Sequence, residues 1–412
     1  MTKYLGSRIL VAAVSASLAM AQDPGSETPV KVSYKSGEGL NFDAGDKFSA
    51  TLFNYVQAGW MFANNENFED FNDFGVARVR TALRGHAYSR NVQYFLQLDW
   101  LDDGSTFERD GDLVGITDGP VRDAWVQWDF MTNGNDAVGL RVGQGKSYHG
   151  FEATGFAAGF FFVDRSIASQ AFGTARSQGA WLHGKHMDNR LRWNFGAQNG
   201  DVAGFNSGLG DQSGNDDNEV TFVANASFDL LGDFYGGDQR EFMRQGNWAD
   251  GSEVRGTVGG GIMMGNGKFE GADNESMQLN FHTAWAFGGG FGAFGEIFIR
   301  EDDVQGGGKA DSSGFNIQGM WIAPKSGNSD MRWGIGLRYS EVKDDDGFLA
   351  ASLAEGTPPS GFKIRDLSLV GNLFYAGHNC KTQVEYTMRD NKPDGGGSTT
   401  DHIFGVMFQL GF

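Results

Sequence analysis

The chain is predicted to fold as an all-β protein, a transmembrane antiparallel β-barrel of about 16 strands. Three observations predict it. Polar and apolar residues alternate with period two from one end to the other, brief turns and long polar segments take turns as connections, and the composition is that of many short strands. The 63 glycines, 35 phenylalanines and ten tryptophans stand beside only seven prolines, a mixture that helical globular domains rarely show.

The N-terminus comes first. Lys3 and Arg8 precede the apolar run "ILVAAVSASLAM", which ends in the small-x-small triplet Ala19-Met20-Ala21. This pattern is a secretory signal peptide over residues 1–21, cut before Gln22 and consistent with Sec-type export. The run is too short for a spanning helix, which wants roughly 20 apolar residues. Residues 22–45 are then expected as an N-terminal periplasmic extension and 46–412 as the barrel. The whole chain carries 33 basic and 52 acidic residues, and residues 1–21 hold two bases and no acid, so the remainder is 31 − 52 = −21. Such acidity argues against nucleic acid as a partner. The single cysteine, Cys380, excludes an intrachain disulfide, so hydrogen bonding and packing must hold the exported chain together.

Strands are expected near 47–63, 76–88, 91–101, 121–131, 138–146, 178–187, 190–199, 219–229, 253–265, 277–287, 291–300, 313–323, 332–342, 365–376, 380–390 and 401–412. In "RWGIGLRYS", Trp333, Ile335, Leu337 and Tyr339 alternate with Arg332, Gly334, Gly336 and Arg338. "RLRWNFGAQ" and "KTQVEYTMR" repeat the pattern. Brief turns at 89–91, 188–189, 288–290 and 377–379 alternate with long segments such as 102–120, 147–177, 199–218 and 343–364; the segment 230–252 does not fit that series. A meander of this size must close to hide its edges. About sixteen strands enclose a lumen too wide for side chains to fill, so the apolar faces must point outward into lipid, with short periplasmic turns and long extracellular loops. Trp60, Trp100, Trp125, Trp128, Trp181 and Trp321 suit interfacial girdles, and the final strand "IFGVMFQLGF" ends on Phe412 like the assembly signal of outer-membrane barrels. The outer membrane of a diderm bacterium follows as the expected location, with lipid and lipopolysaccharide as surroundings.

The polar face then lines water. "VARVRTALRGHAY" sets Arg78, Arg80, Arg84 and His86 on one side, and Arg78 to Arg84 spans roughly 20 Å of wall at strand spacing. Permanently charged guanidiniums in a row form a track for small anions. Arg122, Arg141, Lys185, Arg192 and Arg338 share the polar phase of other strands, while acids gather in "NNENFEDFND", "DQSGNDDNE", "EDDV" and "KDDDG", all expected in long loops. Structural wall charge, paired with acids, is the competing explanation for any one of these arginines.

The segment 147–177, third on its side, is apolar at Phe156, Phe160, Phe161 and Phe162. Either it folds inward and narrows the lumen or it lies between protomers; inward folding is the expectation. Glu152, Asp164, Arg165 and Arg176, with Lys146 and His149 at its start, would border the constriction.

At these residues a resemblance appears. "VKVSYKSGEGLNF", the "RVRTALRGHAY…VQYFLQLDW" hairpin, "DAWVQWDF" and "LRVGQGKSYHGFEATG…FFFVDRS" resemble the phosphate-selective porin O and P family over most of the chain, most densely at 31–200. The resemblance implies a sixteen-stranded porin, usually a homotrimer, that passes anions and is pinched by its third loop. It implies wall roles for Arg78, Arg80, Arg141 and Lys146 and a constriction role for Arg165. Lysine is scarce, however, and "GQGKSYHG" lacks the proline that often follows the family's lysine, which puts phosphate itself in doubt.

Other classes are weaker. The seven histidines are scattered, with His183 and His186 on opposite strand faces, and no G-x-S-x-G presents a serine. "GFGAFG" at 290–295 leads into a strand, not a helix, and "DDDG" at 344–347 lacks calcium-loop spacing. No enzyme activity, cofactor or metal is expected. A general or cation-preferring diffusion porin, with Asp99, Asp123 and Glu385 dominating the wall, and a plugged structural or adhesive barrel are the alternatives.

Overall fold

Each period-two segment pairs edge to edge with its sequence neighbour, and the last pairs with the first. The computed structural model describes residues 28–35, 37–64, 70–101, 121–173, 176–199, 220–235, 244–249, 251–269, 272–304, 308–327, 331–345 and 361–412. The signal-peptide expectation for 1–21 lies outside these residues, as do most of the long connections at 102–120, 199–218 and 343–364. A small hairpin, β1 (Lys31–Lys35) and β2 (Gly39–Asp43), precedes the barrel. The barrel strands are β3 (Phe48–Asn64), β4 (Phe71–Ala87), β5 (Ser89–Asp99), β6 (Val121–Asn133), β7 (Asp136–Gly145) and β8 (Ser177–His186). They continue as β9 (Leu191–Gln198), β10 (Thr221–Leu231), β11 (Arg255–Phe269), β12 (Ala272–Ala286) and β13 (Phe291–Val304). The circuit is completed by β14 (Gly308–Ile322), β15 (Arg332–Asp344), β16 (Phe362–Phe374), β17 (Cys380–Pro393) and β18 (Thr399–Gly411). All sixteen from β3 to β18 pair antiparallel, and β18 closes on β3 from His402↔Asn64 to Gly411↔Tyr55.

The expected alternation has the expected sense. On β15, Trp333, Ile335 and Leu337 are each at least half exposed on the outside, while Gly336, Arg338 and Ser340 are buried inside. On β17, Val384, Tyr386 and Met388 face out against Lys381, Gln383 and Glu385 within. Trp60, Trp100, Trp128 and Trp321 stand outside. Trp125 and Trp181 do not join that girdle: they share the phase of Asp123 and His183 and are buried in the lumen, 6 % and 0 % exposed.

Connections differ from expectation in three ways. The turn after β4 is tighter than "SRN", because Tyr88 adopts φ 67 and Ser89 already opens β5. The acidic stretch "EDDV" completes β13 and Lys343 and Asp344 complete β15, since the pairing of β12 to β15 runs on past the apolar residues. Within 22–45, expected as an N-terminal periplasmic extension, Lys31–Lys35 and Gly39–Asp43 pair as the β1–β2 hairpin. Below the point where β18 ends, β2 takes over the free edge of β3, with Leu40↔Leu52 to Asp43↔Ser49.

Two bulges re-aim side chains. Gln57 pairs with Arg78 and Ala58 with Val76, leaving Ala77 unpaired. Gln97 pairs with Asp123 and Leu98 with Val121, leaving Arg122 unpaired. A bulge inserts one residue and breaks the strict alternation of faces.

The segment between β7 and β8 lies inside the barrel. It carries a 3-10 turn at Ala157–Gly159 and a short helix α1 (Ile167–Phe172), started by Ser166, whose hydroxyl accepts from the Ser169 N–H. Phe151, Phe161 and Phe162 pack on Phe294, Met320, Ile322, Val370 and Phe374, all on the lumen phase of their strands. Ile167, Ala168, Ala171 and Phe172 pack on Phe298, Val342 and Ile364. The wall from β12 to β16 thus offers an apolar inner patch to Phe151, Phe161, Phe162 and Phe172, while Phe156 stands edge-on against Phe53 and Tyr55 at centroid distances of 6.0 and 5.1 Å and the buried Phe160 ring lies under the Arg165 guanidinium.

Candidate functional site: the arginine cluster facing the lumen segment

The cluster is built by register. Tyr55, Arg80 and Asp99 lie in one cross-strand row, because Tyr55 pairs with Arg80 and Arg80 with Asp99. Arg80 donates from Nε to Asp99 Oδ2 at 2.6 Å and from Nη1 to the Tyr55 hydroxyl at 2.9 Å. The neighbouring row holds Gln409, Gln57 and Arg78. Arg78 donates to Gln57 Oε1 at 2.9 Å and, across the lumen, to Asp164 Oδ2 at 2.8 Å. Gln57 in turn donates to Gln409, and Gln409 to the Ala158 carbonyl at 3.0 Å.

On the next strands Gln97 pairs with Asp123, and both receive Arg176, which donates to Asp123 Oδ2 at 2.9 Å and to Gln97 at 3.2 Å. Arg122, the bulge residue, has Arg176, Arg80, Asp99 and Asp123 as its charged neighbours, and its buried Nε has no hydrogen-bond partner. Arg165 approaches from the lumen segment beside Asp164, at 4.0 Å, and lies over the Phe160 ring. Five guanidiniums, those of Arg78, Arg80, Arg122, Arg165 and Arg176, therefore meet the carboxylates of Asp99, Asp123 and Asp164, with Glu152 also acting on Arg165, so that guanidiniums outnumber carboxylates here. Burial works against charge on Asp164, but Arg78 and Arg165 overcome it and hold the carboxyl below the ordinary range. Burial, with Arg78 and Arg176 beside it, brings Arg165 down to about 10, so it stays charged at neutral pH.

The other cations are placed as follows. Arg84 is exposed in the lumen over the Phe53 ring. Arg141 donates twice to Gln127 and stacks 3.7 Å above Trp125, with Tyr148 beyond. Lys185 is opposite Arg192 on β8 and β9, and Arg192 reaches Asp229 at 3.4 Å and the Tyr235 ring at 4.0 Å. Two cations expected on the open wall serve the lumen segment instead. Lys146 donates to the Thr154 and Gly155 carbonyls at 2.7 and 2.6 Å, because the chain turns back over it directly after β7. Arg338 lies under the segment, donating to the Asp164 carbonyl at 2.8 Å and to Glu385 at 3.1 Å, with the Phe162 ring 4.3 Å away.

Carboxylates beneath the segment act on its backbone. Glu296 accepts from the N–H groups of Phe151 and Glu152 and from Ser169. Glu385 accepts the Val163 N–H at 2.7 Å, and Glu152 accepts from the N–H and hydroxyl of Ser166. Cationic excess on the β4–β6 side thus faces acids already occupied as acceptors on the other. Sequence reasoning did not single out Gln57, Gln97, Glu296 or Lys381; their lumen phase was visible, but their contacts join strands far apart in the chain. Among the described residues no group of three or more His, Cys, Asp or Glu could hold a metal ion.

No family model matches the chain, and no curated protein matches it in sequence. Solved structures do match in fold. The outer membrane channel DcaP of Acinetobacter baumannii aligns over 89 % of this chain and 98 % of its own, at 14 % identity and TM-score 0.56. An anion-selective porin from Comamonas acidovorans aligns over 89 % and 100 %, at 11 % identity and TM-score 0.54. OmpT, an outer membrane protein of Vibrio cholerae solved in a trimer form, aligns over 89 % and 100 %, at 12 % identity and TM-score 0.52. The closed sixteen-stranded barrel of this chain is the fold it shares with these bacterial outer-membrane proteins, a channel and a porin among them.

Proposed function

We propose that the protein is an outer-membrane porin through which small hydrophilic solutes diffuse passively, with anions preferred. The observation that carries the preference is the guanidinium excess between β4–β6 and the lumen segment. Charge held by low-dielectric walls acts at longer reach than in bulk water, so a surplus of cations biases which ions enter. Arg84, exposed in the lumen, and Arg165, which stands 4.0 Å from Asp164, are the guanidiniums to test for the bias, while Arg78, Arg80 and Arg176 lie 2.8, 2.6 and 2.9 Å from a carboxylate. The segment 147–173 forms the constriction in this reading. Its packing on β12 to β16 supports that role, as do the apolar outward face for a lipid setting and the fold shared with an anion-selective porin and with a trimer-forming protein for a homotrimer. The resemblance of the quoted stretches to phosphate-selective porins makes phosphate or another small oxyanion the permeant class to test first. Outer-membrane delivery after signal-peptide cleavage, and acidic loops contacting lipopolysaccharide, complete the reading.

A general diffusion porin is the second reading, favoured by the pairing of three cluster arginines with Asp99, Asp123 and Asp164. Reversal potentials in planar bilayers separate the two. With a chloride gradient, and then a phosphate gradient, the parent is expected to prefer anions, and Arg84→Ala and Arg165→Ala are expected to weaken that preference. Cation preference in the parent, or no channels at all, sinks the proposal.

A further inference from the structure

The connection between β10 and β11 is too long for its place in the series of turns, and its described residues Tyr235 and Gln245 are buried in the lumen against the 147–173 segment, which arrives from the other end of the strands. Gln245 is the point of contact. Its backbone N–H donates to the Gly159 carbonyl at 2.8 Å, its Oε1 accepts the Phe161 N–H at 2.8 Å, and its Nε2 approaches Glu152 Oε1 at 3.4 Å. Around it, Tyr235 joins the Phe151–Phe161–Phe162 cluster and Trp248 packs edge-on against Phe374 and His378, at 4.8 and 5.1 Å. Gln245 itself is 8 % exposed.

A second tie runs through His378, in the turn before β17. The Gln245 carbonyl can only accept, so His378 Nε2 carries the proton and donates to it at 2.8 Å, which leaves the Nδ1 lone pair of the neutral ring to accept from Lys381 Nζ at 3.3 Å. The same Lys381 Nζ donates to the Phe160 carbonyl at 2.5 Å. One lysine and one histidine thereby join the two lumen insertions to the wall at a single place. Burial, followed by the adjacent Lys381 ammonium, keeps His378 neutral well below the ordinary imidazole range, so the arrangement persists in mild acid.

We propose that Gln245 is a positioning residue for the constriction: it holds residues 159–161 at the depth where Asp164 and Arg165 face Arg78, and so sets the conductance and steadiness of the open channel. The inference rests on the porin reading above and adds to it a control element from the turn end of the barrel. Phe161 N–H and Gly159 C=O are backbone groups that no strand ladder serves, so the residue that satisfies them decides whether the segment stays where it is.

The test is single-channel recording of the parent, Gln245→Ala and His378→Ala in planar bilayers, with heat-modifiable gel mobility as the check of barrel folding. Neither residue belongs to the strand ladder, so both variants are expected to fold. Losing the side-chain bonds is expected to raise the fraction of time in displaced-segment sublevels about tenfold in Gln245→Ala, with a smaller rise in His378→Ala and a shift in reversal potential in both. A parent that conducts with anion preference, alongside variants with unchanged conductance, noise and reversal potential, overturns the positioning role and leaves the porin reading intact. A parent that forms no channels removes both.

Discussion

Arg80 Nε lies 2.6 Å from Asp99 Oδ2 because β4 and β5 set the two residues directly opposite each other, not because either side chain searches for the other. Their side chains are 8 % and 12 % exposed, so the pair is fixed within the wall. A buried pair contributes less by existing than it costs by being halved.

Halving it therefore gives the first prediction. Arg80→Leu leaves Asp99 buried without its partner and is expected to destabilise the barrel by about 3–5 kcal/mol, whereas Arg80→Leu combined with Asp99→Leu is expected to recover most of that loss. Denaturant titration of folding into lipid vesicles reads both. Equal losses in the single and double variants would mean that the pair is not what stabilises this part of the wall.

Acid should sharpen selectivity. Asp164 has a depressed pKa in the folded chain, so its pairing with Arg78 is fully present above the ordinary aspartate value of about 4 and is lost as pH falls through the lower folded value. Protonation removes one carboxylate from a cluster in which guanidiniums are already in excess, so the reversal potential is expected to move toward stronger anion preference only below about pH 4. Asp164→Asn is expected to show the stronger preference already at pH 7. A shift beginning at pH 6 would assign the effect to another group.

The outward face can be tested by charge. Ile335 is 50 % exposed between Trp333 and Leu337, and Ile335→Lys is expected to cost about 2–4 kcal/mol in vesicles if that face meets the hydrocarbon midplane. Folding equilibria in vesicles measure it directly, and an unchanged equilibrium would take hydrocarbon away from this face.

All sixteen barrel strands were legible in the sequence, because an alternating face needs only its own residues to declare itself. The direction of the faces was legible too, from the size of the circuit. Arg122 was less so: counted in twos it belongs with Ala124 and Val126, and only pairing with β5 reveals the bulge that frees it. Trp125 and Trp181 show that aromatic identity alone does not place a residue in a girdle, since their phase, shared with Asp123 and His183, points inward. Lys146 and Arg338 looked like wall cations because their use depends on a segment that returns from elsewhere to cover them. Gln245 carried little local signal, since apart from Trp248, which donates to its carbonyl, its partners lie 84 or more residues away in the chain.

The short hairpin at the start of the described chain has a consequence for export. Where β18 stops, four residues of β3 would present bare amides and carbonyls along a seam, and β2 occupies that seam. An unguarded seam invites pairing with another copy in transit. The hairpin is thus a selvedge: without it, chains awaiting insertion would be expected to knit to one another.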